Sequence, residues 1–169
     1  MYFLWMSAII SSFFVYFLIQ QEAQDLPVYA DEIAMSDETR GYADALARAQ
    51  LAWHQAAQQA WKSNKQTGII NAATIIPLVP ASDISRTQAF GMQWQSAYIA
   101  GASRIITYPA TPIPDKTSPF MVGQKLFDYT RNPAAGVAIN AAIRNSYTDF
   151  NFNTGLPDGT PVVSDFHNM

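Results

Sequence analysis

Two histidines, His54 and His167, are the whole supply of side chains that titrate near neutral pH in this 169-residue chain, so imidazole acid–base chemistry or imidazole metal ligation would have to begin with them. Neither sits in a site-forming pattern. His-Glu-x-x-His does not occur, and no acid stands three or four residues from His54. A working base needs a constellation around it, so His54 reads as a surface or half-buried neighbour of Trp53, and His167 as part of the tail. Cysteine is absent, which removes thiolate nucleophiles, disulfides and thiolate metal sites together. No Gly-x-Ser-x-Gly is present, and Gly101-Ala102-Ser103 belongs to an expected turn. A phosphate-cradling Gly-x-x-x-x-Gly-Lys-Ser/Thr is missing, as is the Asp-x-Asp/Asn-x-Asp/Asn-Gly spacing that would make the acids of residues 22–38 a calcium loop. Trp53, Trp61, Trp94, Tyr98 and Tyr108 have faces that stack on sugars or bases, but aromatic rings chiefly supply buried area and read as core or interface. The expectation is a protein that is not an enzyme, with no catalytic residue, no cofactor and no metal.

Charge gives the same direction. Six acids in residues 22–40 face Arg40 alone, whereas residues 41–169 hold seven acids and nine bases. Without a basic stripe, a nucleic-acid partner is not expected. Only 14% of residues are charged, which suits a neutral polar surface held within an assembly.

The elements that must position these residues start with an uncharged run, MYFLWMSAIISSFFVYFLI. As a helix it would cover roughly 28 Å, close to the roughly 30 Å hydrocarbon thickness of a bilayer. Residues 1–20 are therefore expected to form a transmembrane anchor with a cytoplasmic N-terminus. Tyr2, Phe3, Trp5 and Tyr16 would lie at its interfaces, and Ala8, Ser11 and Ser12 would allow close approach of another membrane helix. A cleaved signal would instead show a basic start and a small-x-small site, neither of which is present in good form. Residues 21–36, acidic and interrupted by Pro27, read as a juxtamembrane linker; residues 37–163 as a single α+β domain; residues 164–169 as a loose tail.

Within that domain Tyr42, Leu46, Ala49, Trp53, Ala56 and Ala60 recur at helical spacing and predict an amphipathic helix over 37–66, ended by Gly68. Its other face, Arg48, Gln55, Gln58, Gln59 and Lys62, would be free to meet partners. Pro77 and Pro80 break residues 69–80 into a short strand or irregular buried segment. Residues 92–108 read as a hairpin turning at 100–103, and Ser118-Pro119 opens a helix that Asn132-Pro133 stops. Short strands follow near 137–139 and 143–147. Phe150 and Phe152 then alternate with asparagines, and Leu156-Pro157-Asp158-Gly159 turns into 161–163. The expected fold class is α+β: an N-terminal transmembrane helix, then a long amphipathic helix packed on a small antiparallel sheet, a pilin-like layout.

This order of features resembles the PilM family of type IVb thin-pilus systems, small single-pass inner-membrane proteins. The segments that carry the likeness are Ala97-Tyr98-Ile99-Ala100-Gly101 with residues 104–108, residues 126–130 leading to Gly136-Val137-Ala138, and residues 156–163, beside the apolar N-terminal run. The resemblance implies a non-enzymatic component of the pilin export apparatus or basal body in the bacterial inner membrane, with a periplasmic head. Its partners would be other assembly proteins or pilin, and self-association is compatible with it. The hairpin is poorer in glycine than the family's. The rival from another class is a minor pilin or pseudopilin. Prepilin processing requires a Gly before the cleavage point and usually a Glu five residues into the mature helix, yet no Gly precedes Gly41 and no Glu precedes Glu22.

Overall fold

The computed structural model describes residues 37–88, 91–140 and 142–166. The chain divides into Met1–Asp37 and Glu38–Met169, and the description below is of the second unit. Helix α1, Asp37–Ser63, has the expected stripe: Leu46, Ala49, Trp53, Ala56 and Ala60 are buried. The buried face is wider than that stripe, because Ala43, Ala47, Gln50, His54, Ala57 and Trp61 are buried as well. Alanine supplies most of this surface, so neighbouring strands approach the helix closely and only its few large side chains need matching hollows.

After α1 come β1 (Gly68–Ile69), the short helix α2 (Ala72–Ile75), a 3-10 turn at Ile76–Leu78 and helix α3 (Ala81–Thr87). Asn71 caps α2, its side chain accepting from the Ala73 N–H. The hairpin is as expected: β2 (Trp94–Ile99), a 3-10 turn Ala100–Ala102, and β3 (Arg104–Pro109), with Ser103 left-handed at φ 52° where the chain reverses. Ser118 caps α4 (Pro119–Thr130), accepting from the Phe120 N–H, and Arg131 at φ 51° ends it with its N–H on the Phe127 carbonyl. The strands β4 (Ala135–Ile139), β5 (Ala142–Arg144), β6 (Asp149–Phe150) and β7 (Thr160–Phe166) complete the order.

All seven strands join one antiparallel sheet in the order β1-β2-β3-β7-β4-β5-β6. The last strand thus lies in the middle, Thr107 opposite Val163 on one side and Ala135 opposite Val163 on the other. The helices cover one face: Trp61 of α1 stacks on Tyr98 at 4.6 Å between ring centroids, and α4 lies on β4. There a Cβ on Gly123 would come within 2.5 Å of Val137 Cγ2 and 2.7 Å of the Gly136 carbonyl, so glycine is what lets helix and strand backbones meet. The other face, with Ile106, Ala138, Ile143 and Val162, is closed by Phe152, with Phe150 and Leu156 partly buried beside it.

Several expectations need correction. The sheet is not small but seven-stranded, because short apolar runs at distant positions pair with one another rather than with their sequence neighbours alone. The pilin-like layout with an N-terminal transmembrane helix is overturned as a description of this fold: among the described residues no helix is long and apolar enough to cross a membrane. Residues 1–20 and the linker 21–36, with Ala8, Ser11 and Ser12, lie outside the described residues. The tail does not begin at 164, since Ser164, Asp165 and Phe166 continue β7 and pair with β3. Helix α1 stops at Ser63 rather than 66, and residues 81–87, given no element in the sequence reading, form α3.

Candidate functional site

Gln50, His54 and Gln58 stand four residues apart on α1, which sets them one above another on the face turned to the sheet. Gln50, fully buried, sends its amide N–H groups to two strand carbonyls, Thr107 at 2.8 Å and Pro161 at 3.1 Å. One turn on, His54 is 2% exposed, with Nδ1 2.8 Å from the Thr107 hydroxyl and Nε2 3.0 Å from Asp165 Oδ2. The Thr107 hydroxyl lies 2.7 Å from that of Ser96. Gln58 donates to the same Asp165 oxygen, and Asn132 donates to Asp165 Oδ1 at 2.9 Å and to the Ser164 carbonyl at 2.8 Å.

A carboxylate only accepts, so Nε2 carries hydrogen. In the neutral ring Nδ1 accepts from Thr107, whose oxygen accepts in turn from Ser96. A protonated ring reverses the Thr107 bond without breaking it. The run is hydroxyl, hydroxyl, imidazole, carboxylate, the group types of an acyl-transfer triad. Its layout differs, because in that triad the carboxylate holds Nδ1 and Nε2 faces the nucleophile. Ser96 and Thr107 are moreover 0% exposed, so no substrate reaches either oxygen. What the arrangement does is tie α1 to β2, β3 and β7 through the mutual hydrogen bonds of His54, Thr107, Ser96, Gln58 and Asp165, with Gln50 Oε1 left without a partner, a specification of register rather than a reacting centre.

The sequence reading of His54 as surface or half-buried missed this cluster. The carboxylate comes from 111 residues away, beyond any local spacing rule. The signal that was available is the 50-54-58 row of polar side chains on a helix whose adjoining stripe is apolar.

Of the five residues expected on the free face of α1, Arg48, Gln55, Gln59 and Lys62 are exposed and Gln58 is not free: it is turned to Asp165. Arg48 is paired with Asp44 at 2.9 Å and lies 4.8 Å over the Tyr129 ring, whose hydroxyl also bonds Asp44. In the loop ahead of α4, Lys116 donates to the Tyr42 hydroxyl at 3.1 Å, and that bond, with the Tyr42 and Glu38 charges, raises its pKa. Burial pushes the Tyr108 phenol above its ordinary 10.0 while its hydroxyl donates to Gln95 Oε1 at 3.0 Å. Among the described residues no three His, Cys, Asp or Glu side chains come together as a metal site. His167 lies outside the described residues.

No protein-family model, curated protein or solved structure matches this chain.

Proposed function

We propose that the protein is a non-enzymatic component of a thin-pilus assembly or pilin export apparatus, acting through protein–protein contacts on the periplasmic side of a bacterial inner membrane. The observation that carries this reading is where the family-like segments fall. Residues 97–101 end β2 and make its turn, 104–108 are β3, 156–163 lead into β7, and 126–130 with 136–138 end α4 and form β4. In the sheet these are four adjacent strands, β2-β3-β7-β4, with the helix that packs on the last of them. Segments scattered over the sequence therefore make one contiguous block. The lack of an enzymatic role is supported by the sealed hydroxyls of Ser96 and Thr107, which leave the most triad-like cluster without access.

The partner surface in this reading is the exposed line of α1, Arg48, Gln55, Gln59 and Lys62. Photo-crosslinkers at Gln55 and Gln59 in intact piliated cells should capture an assembly protein or pilin, while one at Gln58, turned to the sheet, should not. Deleting the protein should abolish pili. Normal piliation in the deletion strain would overturn the reading, and recovery of the chain within sheared filaments would assign it to the minor pilins instead.

A further inference from the structure

A groove of about 500 Å³ opens at one end of the sheet, where β2 and β7 begin and β3 ends. Its volume lies within the roughly 300–1,000 Å³ of ligand clefts. Five prolines line it: Pro109 and Pro112 at and after the end of β3, Pro119 at the start of α4, and Pro157 and Pro161 on either side of the turn into β7. Both walls are tied down. On one, the Ala110 N–H donates to the Gln93 carbonyl at 2.7 Å and the Thr111 hydroxyl accepts from the Gln93 N–H at 3.2 Å. On the other, the Gly159 N–H donates to the Ala138 carbonyl at 2.8 Å. With φ fixed at each proline as well, the groove is built before a ligand arrives, and binding spends little entropy on ordering it.

The polar groups in the groove give the chemistry of its ligand. Gln95 and Tyr108 stand opposite each other on β2 and β3, both side chains line the groove, and the Tyr108 hydroxyl donates to Gln95 Oε1 at 3.0 Å. That bond orients the amide and sets its two N–H groups on the other side, where the nitrogen has no partner and is not sealed from water. A held donor is thus offered to a carbonyl. Asp158 is the one charged side chain among the described lining residues; its Oδ1 accepts from the Asn140 N–H at 2.9 Å, and Oδ2 is left for a cation. Proline walls cannot extend a hydrogen-bonded ladder, so an occupant lies along the groove rather than adding a strand. Tyr108 is the one aromatic ring among the same residues, half-buried with its hydroxyl engaged, a poor platform for stacking a sugar.

We propose that this groove binds an extended, proline-rich segment of a partner protein that carries a lysine or arginine. Its apolar rings and side chains lie on Tyr108, Ile113 and Leu156, a peptide carbonyl takes the Gln95 amide, and the cation meets Asp158. Proline in the ligand suits these walls, because it brings no N–H in need of an acceptor and holds the extended form beforehand. The site does not depend on the pilus reading.

Display of random decapeptides against the full chain should enrich sequences with proline and a basic residue. In calorimetric titration the leading peptide should bind about threefold more tightly than its copy with glutamine in place of the basic residue, the size of an exposed ion pair. Asp158→Asn keeps the acceptor for the Asn140 N–H and removes the charge; it should erase that difference. Ala110→Trp, at an exposed position in the wall, should weaken the leading peptide about tenfold or more. In the unsubstituted protein the Gln95 side-chain amide resonances should move on adding the peptide, which tests the same groove if Ala110→Trp does not fold. No enrichment, enrichment of acidic or proline-free sequences, a preference unchanged in Asp158→Asn, binding indifferent to Ala110→Trp, or unmoved Gln95 resonances would overturn the proposal, as would binding of chitotriose in place of any peptide.

Discussion

Thr107→Val tests the polar clamp between α1 and the sheet with almost no change of shape. The Thr107 hydroxyl is shared by His54 Nδ1 at 2.8 Å and Ser96 Oγ at 2.7 Å, and all three residues are at most 2% exposed. With a methyl in its place, the imidazole nitrogen and the serine hydroxyl both face carbon with no water to replace the lost partner. Each buried group left unsatisfied costs about 1–3 kcal/mol, and Ser96 recovers part of its share by rotating, so a total of about 2–4 kcal/mol is expected. For a unit of this size that lowers the melting temperature by roughly 8–15 °C. Circular dichroism melts and urea titrations at neutral pH measure it, with Gln55→Val on the exposed line as a control that should stay within about 0.5 kcal/mol. Adding Ser96→Ala to Thr107→Val should cost less than the two single losses summed, because the variants remove one shared bond. A Thr107→Val protein that melts within about 2 °C of its parent would mean that the three groups are not the satisfied network described, and the reasoning would fail.

Other substitutions probe other joints. Gly123→Ala should destabilise by about 2–3 kcal/mol in urea despite alanine's better helix propensity, because the new methyl has only the Val137 side chain and the Gly136 backbone to enter. Ser118→Ala removes the acceptor for the Phe120 N–H and should cost about 1 kcal/mol, read from the same titration. Tyr108 has a folded pKa above its ordinary 10.0. Between those two values the folded state holds the proton that the unfolded chain has lost, so its contribution is complete below pH 10 and falls as pH rises further. Tyr108→Phe should flatten the alkaline limb of a stability–pH curve, and an unchanged limb would refute that assignment.

Much of the local structure was legible because its causes are local. Ser118-Pro119 announces a capped helix within two residues, and the alternation around Trp94, Ser96 and Tyr98 needs only its own turn to become a hairpin. Leu46, Ala49, Trp53, Ala56 and Ala60 reveal the buried side of α1 by spacing alone. The sheet's order was not legible, since nothing near Ser164 says that its neighbours will be Ile106 and Ala134. A run of polar and apolar residues ending in Phe166 looks loose until a strand on each side gives its backbone partners. Gln58 read as a contact residue for the same reason: the carboxylate it serves is 107 positions away. α3 is hard to see in the sequence because Pro80 reads as a breaker, yet proline just ahead of a helix also begins one, here with Asp83 in the first turn.

The central place of β7 sets the order in which this protein can be made. Synthesis delivers the β2–β3 hairpin and the β4–β5 hairpin first, two small ribbons whose facing margins have no strand between them. Only when residues 160–166 emerge can the two be sewn together. Until then each nascent chain displays two unpaired margins that accept strands from other molecules. Slowing translation over the final segment should therefore raise aggregation more than an equal pause placed within α1.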